Sequence, residues 1–122
     1  MKHERAGIAR IMAAFRNSYD GFMAAVKSEE AFRQELLLMS AFLAAAFAID
    51  FSMVERLFLL TAIFFVLFAE LVNTAVEFTI DRIGTEQHRY SKIAKDIGSL
   101  IVLMSFAYFG AVWGIVLFNK FM

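Results

Sequence analysis

The apolar stretch at residues 97–118 constrains the fold most, because its twenty-two residues include no Asp, Glu, Lys or Arg. About 20 consecutive apolar residues form a helix long enough to cross the hydrocarbon core of a bilayer. With 61% hydrophobic and only 20% charged residues, the 122-residue chain is also too apolar for a soluble domain of its size. The sequence therefore predicts an all-α membrane protein.

Two further apolar segments, residues 31–49 and 57–80, predict two more transmembrane helices. The first measures roughly 28 Å as a helix, close to the ~30 Å hydrocarbon thickness. The short connection 50–56 makes these two helices antiparallel neighbours. Within the polar connection 81–96, Gly84 and Thr85 predict that a helix ends and another begins. We expect a single membrane domain over residues 1–122.

Residues 7–28 form a different kind of segment, in which apolar side chains recur at steps of three and four. Its basic residues lie off the apolar stripe, a pattern typical of an amphipathic helix lying in the membrane interface. The alternative is a soluble helix packed on a core. The apolar positions are Ile8, Ile11, Met12, Phe15, Tyr19, Phe22, Met23 and Val26.

The second crossing ends in a stripe of polar residues: Glu70, Asn73, Glu77 and Asp81 fall within roughly 80° of one helix face. An ionised carboxylate in hydrocarbon is costly, so an intramembrane acid indicates a functional site. With Arg56 marking the outer surface, Glu70 lies about 21 Å inward along the helix and Glu77 about 31 Å inward. Each residue also has a structural alternative. A protonated Glu70 or Asn73 could bond between helices, and Glu77 and Asp81 could be solvated charges.

Basic residues predict the orientation, because cytoplasmic flanks carry an excess of Lys and Arg. Ten lie on one side and two, Arg56 and Lys120, on the other. The N-terminus and the second loop are therefore expected in the cytoplasm. The ten are Lys2, Arg5, Arg10, Arg16, Lys27, Arg33, Arg82, Arg89, Lys92 and Lys95.

Several polar residues are expected at the cytoplasmic headgroups. Carboxylates from two helices, Glu29 and Glu77, suit Mg²⁺, which usually takes one or two protein carboxylates together with phosphate and water. Lys95 and Asp96 begin the third crossing at the same level, where a lysine can neutralise phosphate charge. The chain has no net charge, which argues against a nucleic-acid partner. The glycine-rich phosphate loops of soluble kinases are absent from the sequence, so phosphoryl transfer would need another site.

Four stretches resemble the small prokaryotic integral membrane diacylglycerol kinases, and the likeness extends over residues 7–118. The stretches are Glu29–Glu35, Glu70–Glu77, Asp81–Glu86 followed by His88, and Ala94–Ser99. The resemblance implies an interfacial helix plus three transmembrane helices, assembled as a homotrimeric helical bundle with active sites shared between neighbouring subunits. Its partners would be ATP, membrane lipids and the other two copies of the chain.

The resemblance also implies an activity: transfer of the ATP γ-phosphate to the hydroxyl of diacylglycerol, giving phosphatidic acid at the cytoplasmic face of the bacterial inner membrane. The position of Glu70 corresponds to the general base, and those of Glu29 and Glu77 to ligands of the magnesium cofactor. Asn73 and Asp81 match polar positions around this site. Nucleotide-contacting positions match Arg10, Asn17, Glu29, Glu77, Gln87, His88, Lys95 and Asp96, and lipid-contacting positions match Arg56, Glu70, Ser99 and Trp113.

This chain departs from the family pattern where Asn17 and Gln87 replace aromatic residues. Related kinases that phosphorylate undecaprenol share the Glu-x-x-Asn-x-x-x-Glu core, so undecaprenol is an alternative acceptor. The run that begins Asp81-Arg-Ile-Gly is more similar to the diacylglycerol branch. From a different class, intramembrane acids also suit a subunit of an ion-coupled transporter or a small scaffold protein.

Overall fold

The computed structural model describes residues 2–84 and 86–122, with side chains from residue 6 onward. Its described residues form four α-helices and no strand, which confirms the predicted all-α class. The helices are α1 (Lys2–Ser28), α2 (Glu30–Ala48), α3 (Met53–Ile83) and α4 (Arg89–Phe121). The chain divides into two compact units, residues 1–30 and 31–122, and each is described by itself.

The N-terminal unit consists of the amphipathic helix α1 and the two residues that follow it. Large apolar side chains on the predicted stripe are exposed, among them Phe15 at 75% and Tyr19 at 65%. The helix ends where the Glu29 N–H donates to the Ala25 carbonyl at 2.9 Å. An exposed apolar stripe over about four turns, from Ile8 to Phe22, is the property that suits a helix to a membrane interface.

The second unit is a bundle of α2, α3 and α4, each long and apolar enough to cross a membrane. With 31 and 33 residues, α3 and α4 are roughly 46 and 50 Å long, well beyond the ~30 Å hydrocarbon core. Both continue past the apolar segments predicted at 57–80 and 97–118. The polar residues at their facing ends are therefore held on helix rather than on loop.

Local capping explains where these helices begin and end. Ser52 and Glu55 form a capping box at the start of α3: Ser52 Oγ accepts from the Glu55 N–H at 3.1 Å, and Glu55 Oε1 accepts from the Ser52 N–H at 2.8 Å. The helix stops at Gly84 as predicted, and the Gly84 N–H donates to the Ile80 carbonyl at 3.2 Å. His88 is the N-cap of α4, and its Nδ1 accepts a hydrogen bond from the Tyr90 N–H at 3.0 Å. The predicted restart at Thr85 lies outside the described residues.

The apolar core of the bundle occupies the first half of α3. Leu59 and Val66 are completely buried there and pack with Met39 of α2. Aromatic rings of α2 and α4 complete this core: Phe42 lies edge-on to both Phe109 and Trp113, with ring centroids 4.8 Å apart in each pair. The core ends at Val66 and Ala69, and the polar stripe begins one residue later. The same helix therefore packs in the apolar core with its first half and carries the polar stripe on its second.

Candidate functional site

Glu70 is the deepest member of the polar stripe, and only 7% of it is exposed. It follows the buried Ala69 on α3 and is enclosed by its own chain. Its carboxyl group lies near the carboxyl group of Glu35 on α2, close enough for the two groups to interact electrostatically. A buried acid inside an apolar bundle is thus paired with a second acid rather than with a base.

The Glu35 carboxyl group lacks a hydrogen-bond partner at one of its oxygens. Ionised carboxylates only accept hydrogen bonds, so the two groups can bond to each other only when one carries a proton. Glu35 Oε2 is buried and has no donor among the residues that the structure describes. A buried acceptor without a donor is costly. A ligand hydroxyl is a group that would satisfy it.

Glu35 was assigned no role by the patterns that identified the other site residues. It belongs to the first of the four matched stretches, but Arg33 and Gln34 beside it make it look like part of a solvated helix start. The rule that identified Glu70, an acid within a segment long enough to cross the membrane, applies to Glu35 as well. Its position inside α2 was the available signal.

One helical turn beyond Glu70, the Asn73 amide forms a hydrogen bond with Glu77, the next acid of the stripe. Asn73 Nδ2 donates to Glu77 Oε1 at 3.2 Å, and both side chains are half-buried. A hydrogen bond of this kind fixes the direction in which a carboxylate presents its other lone pairs. Asn73 therefore orients Glu77, as expected for residues four apart on one helix face.

Charged residues at the facing ends of α3 and α4 form the exposed part of the site. Lys95 Nζ lies 3.7 Å from Asp81 Oδ1, and Lys92 Nζ donates to Asp96 Oδ2 at 2.7 Å. Both pairs are exposed to solvent, so they contribute little to stability. They border a groove of about 810 Å³, within the size range of small-molecule sites. Its polar lining residues include Asp81, Glu86, Gln87, His88, Lys92, Lys95 and Asp96.

The described residues contain no cluster of three or more His, Cys, Asp or Glu side chains that could hold a metal ion. Mg²⁺, the metal that the sequence predicts, is commonly held by one or two carboxylates plus phosphate oxygens and water. Glu77, oriented by Asn73, is a donor of the required type in the second unit.

The remaining predicted site residues differ in burial and in what they contact. Arg56 is fourteen positions before Glu70 on α3, about 21 Å along the helix, and it binds backbone carbonyls at the end of α2. Trp113 is 4% exposed, and its ring packs in the aromatic core. Ser99 is exposed on α4. In the separate N-terminal unit, Arg10 and Asn17 are exposed and Glu29 is half-buried.

Comparison with known proteins identifies the family. The family model described as prokaryotic diacylglycerol kinase matches residues 16–117. The diacylglycerol kinase of Pseudomonas aeruginosa is 37% identical over 113 residues, covering 93% of this chain and 92% of that protein. The diacylglycerol kinase of Escherichia coli K12 is 35% identical over 121 residues, covering 99% of each chain. That of Haemophilus influenzae is 34% identical over 116 residues, covering 95% of this chain and 98% of the relative. The chain belongs to the prokaryotic diacylglycerol kinase family.

Proposed function

We propose that this protein transfers the γ-phosphate of ATP to the free hydroxyl of diacylglycerol, giving phosphatidic acid and ADP at the cytoplasmic face of the inner membrane. The observation that carries the proposal is Glu70, an acid only 7% exposed inside an apolar helical bundle, beside which Glu35 holds a buried carboxyl oxygen without a hydrogen-bond donor among the described residues. The alcohol of a membrane lipid is a donor that reaches such a place from the bilayer. Family membership favours a lipid kinase over a transporter or scaffold subunit.

In the proposed reaction, Glu70 acts as the general base. The lipid hydroxyl oxygen attacks the γ-phosphorus, its proton passes to the Glu70 carboxylate, and the bond to the bridging oxygen of ADP breaks. Phosphoryl transfer needs mainly positioning and charge neutralisation. The stripe suits both, because Glu70 is buried while Glu77 and Asp81 are progressively more exposed along the same helix.

The exposed groove is the proposed nucleotide site. When ATP binds, the Lys95 ammonium group would exchange its ion pair with Asp81 for one with a phosphate group. Gln87, His88 and Asp96 line the same groove. Magnesium, when bound with ATP, would neutralise charge on the transferring phosphate. Glu77 would hold it, and Glu29 stays a predicted ligand on the resemblance alone. Arg10 and Asn17 likewise stay predicted nucleotide contacts.

Substitution of the base tests the reaction. Glu70→Gln keeps the shape of the side chain but cannot accept the hydroxyl proton, so we expect lipid phosphorylation to fall about 100-fold or more. Purified protein with labelled ATP and a panel of lipid alcohols supplies the measurement. Turnover like that of the wild type in Glu70→Gln would remove Glu70 from the base role. Faster phosphorylation of undecaprenol than of diacylglycerol would make undecaprenol the acceptor.

A further inference from the structure

Gly98 of α4 lies against Asn73 of α3, beside the polar stripe. Gly98 is buried, and a Cβ added to it would fall on Asn73 Oδ1, well inside van der Waals contact. The same Cβ would lie 3.4 Å from Asn73 Cγ and 3.8 Å from Asn73 Cα. The Asn73 side chain therefore occupies the space that any side chain at position 98 would need.

The nitrogen of the Asn73 amide contacts Glu77, the residue proposed to hold magnesium. Asn73 Nδ2 donates to Glu77 Oε1 at 3.2 Å. The amide thus lies between the Gly98 backbone and the Glu77 carboxylate, with its oxygen towards α4 and its nitrogen on the acid. Because the amide is rigid and planar, displacing the oxygen also displaces the nitrogen.

We propose that Gly98 is a positioning residue for phosphoryl transfer, since the absence of a side chain there keeps the Asn73 amide aimed at Glu77. The inference rests on the proposed function, in which Glu77 holds the magnesium of Mg-ATP. Hydrogen-bond partners of metal-binding carboxylates control metal affinity and activity, and their loss costs about 10- to 100-fold. Gly98 acts on the metal through two intervening residues and touches neither substrate.

The Gly98→Ala variant can test this positioning role without disrupting the fold. The severe overlap is with the terminal oxygen of a side chain that can rotate, while the Asn73 Cα lies at 3.8 Å, an ordinary contact distance. In Gly98→Ala we therefore expect the helices to stay in place and the amide to swing away from Glu77. The matched control is Gly110→Ala, because a Cβ at Gly110 meets no described atom within 4 Å.

The metal readout uses Mn²⁺ with a non-hydrolysable ATP analogue, followed by electron paramagnetic resonance without turnover. We expect binding about 10- to 100-fold weaker in Gly98→Ala and unchanged in Gly110→Ala. Unchanged Mn²⁺ binding in Gly98→Ala, with the wild type binding normally, would overturn the inference. Failure of the wild-type protein to phosphorylate any lipid alcohol would instead overturn the proposed function.

A double-mutant cycle shows whether Gly98 acts through Asn73. We expect Gly98→Ala to lower kcat/KM about 10- to 100-fold in the wild-type background and to add nothing in an Asn73→Ala background, where the amide is already missing. Losses that multiply would show an independent packing role and overturn the inference. The inference would also be overturned if the Gly98→Ala protein did not fold while the double variant did.

Discussion

At the scale of single residues, Trp113 has a structural role that can be separated from the predicted lipid contact. Its ring stacks on Phe109 with centroids 5.7 Å apart, while Nε1 is buried without a partner among the described residues. Phenylalanine keeps most of the packing and removes the unsatisfied N–H, so we expect Trp113→Phe to retain the thermal stability of the protein in detergent. Trp113→Ala should cost about 3 kcal/mol by opening a cavity.

The two variants also test the lipid contact that the family resemblance implies for Trp113. If the indole N–H binds substrate, Trp113→Phe will raise the KM for lipid while the melting temperature stays near that of the wild type. An unchanged KM together with an unchanged melting temperature would leave Trp113 as a core residue only.

The residues of the stripe could be found in the sequence because they interrupt an apolar run. Glu70 follows thirteen uncharged residues, and the helical period alone places Asn73 and Glu77 beside it. The contacts of Glu35 and Gly98 could not be found in this way. Both depend on how closely α2 and α4 approach α3, and a glycine carries no chemical group that would identify it in the sequence.

At the scale of helices, hydropathy located three helices that are long and apolar enough to cross a membrane, but not their full lengths. It placed the start of the third crossing at Ile97, whereas α4 begins eight residues earlier at Arg89. Polar residues remain helical when a cap satisfies the first N–H groups, and His88 provides that cap. The capping box of Ser52 and Glu55 has a recognisable sequence pattern, so the start of α3 was predictable from a signal that hydropathy ignores.

Arg56 joins two helices at their ends. Nε donates to the Ala46 carbonyl at 2.9 Å, and a terminal nitrogen donates to the Ile49 carbonyl at 3.4 Å. These bonds satisfy carbonyls that the end of α2 leaves open. Lysine cannot make both bonds with one ammonium group in the same geometry, so we expect Arg56→Lys to lower the free energy of unfolding by about 1.5 kcal/mol.

The control for Arg56→Lys is Ser52→Ala at the start of the same helix, which should cost about 1 kcal/mol through loss of the N-cap. Thermal unfolding in detergent measures both. The family resemblance instead assigns Arg56 to lipid binding, which predicts a raised KM for lipid in Arg56→Lys with no loss of stability. That result would contradict the helix-capping role.

At the scale of the whole molecule, the burial of Glu70 changes one argument for a trimer. Carboxylates in a bilayer must be shielded from lipid, and a trimer would provide more shielding than the three helices of one chain. In the structure a single chain already leaves Glu70 only 7% exposed. Shielding of Glu70 therefore does not require neighbouring copies, and the homotrimer with shared sites stays a prediction based on the family resemblance.

The orientation of the chain decides whether the groove meets ATP. Ten basic residues against two predict that the loop between α3 and α4 faces the cytoplasm. Because the sequence contains no cysteine, single substitutions give clean labelling sites. Glu86 and Asp50 are exposed in the two loops at opposite ends of α3. With a membrane-impermeant maleimide on right-side-out spheroplasts, we expect Asp50→Cys to be labelled at once and Glu86→Cys only after the membrane is opened.

The cysteine-free wild-type chain is the control for nonspecific labelling, and lipid kinase activity shows that each variant is inserted correctly. The reversed pattern would put Lys95 and the groove on the side of the membrane without ATP. Since Glu77 lies on the same helix between Glu70 and that groove, such a result would contradict both the cytoplasmic orientation and phosphoryl transfer at this stripe. Labelling as expected would put the exposed end of the stripe, with Asp81 and the groove, on the side of the membrane that holds ATP, as the proposed reaction requires.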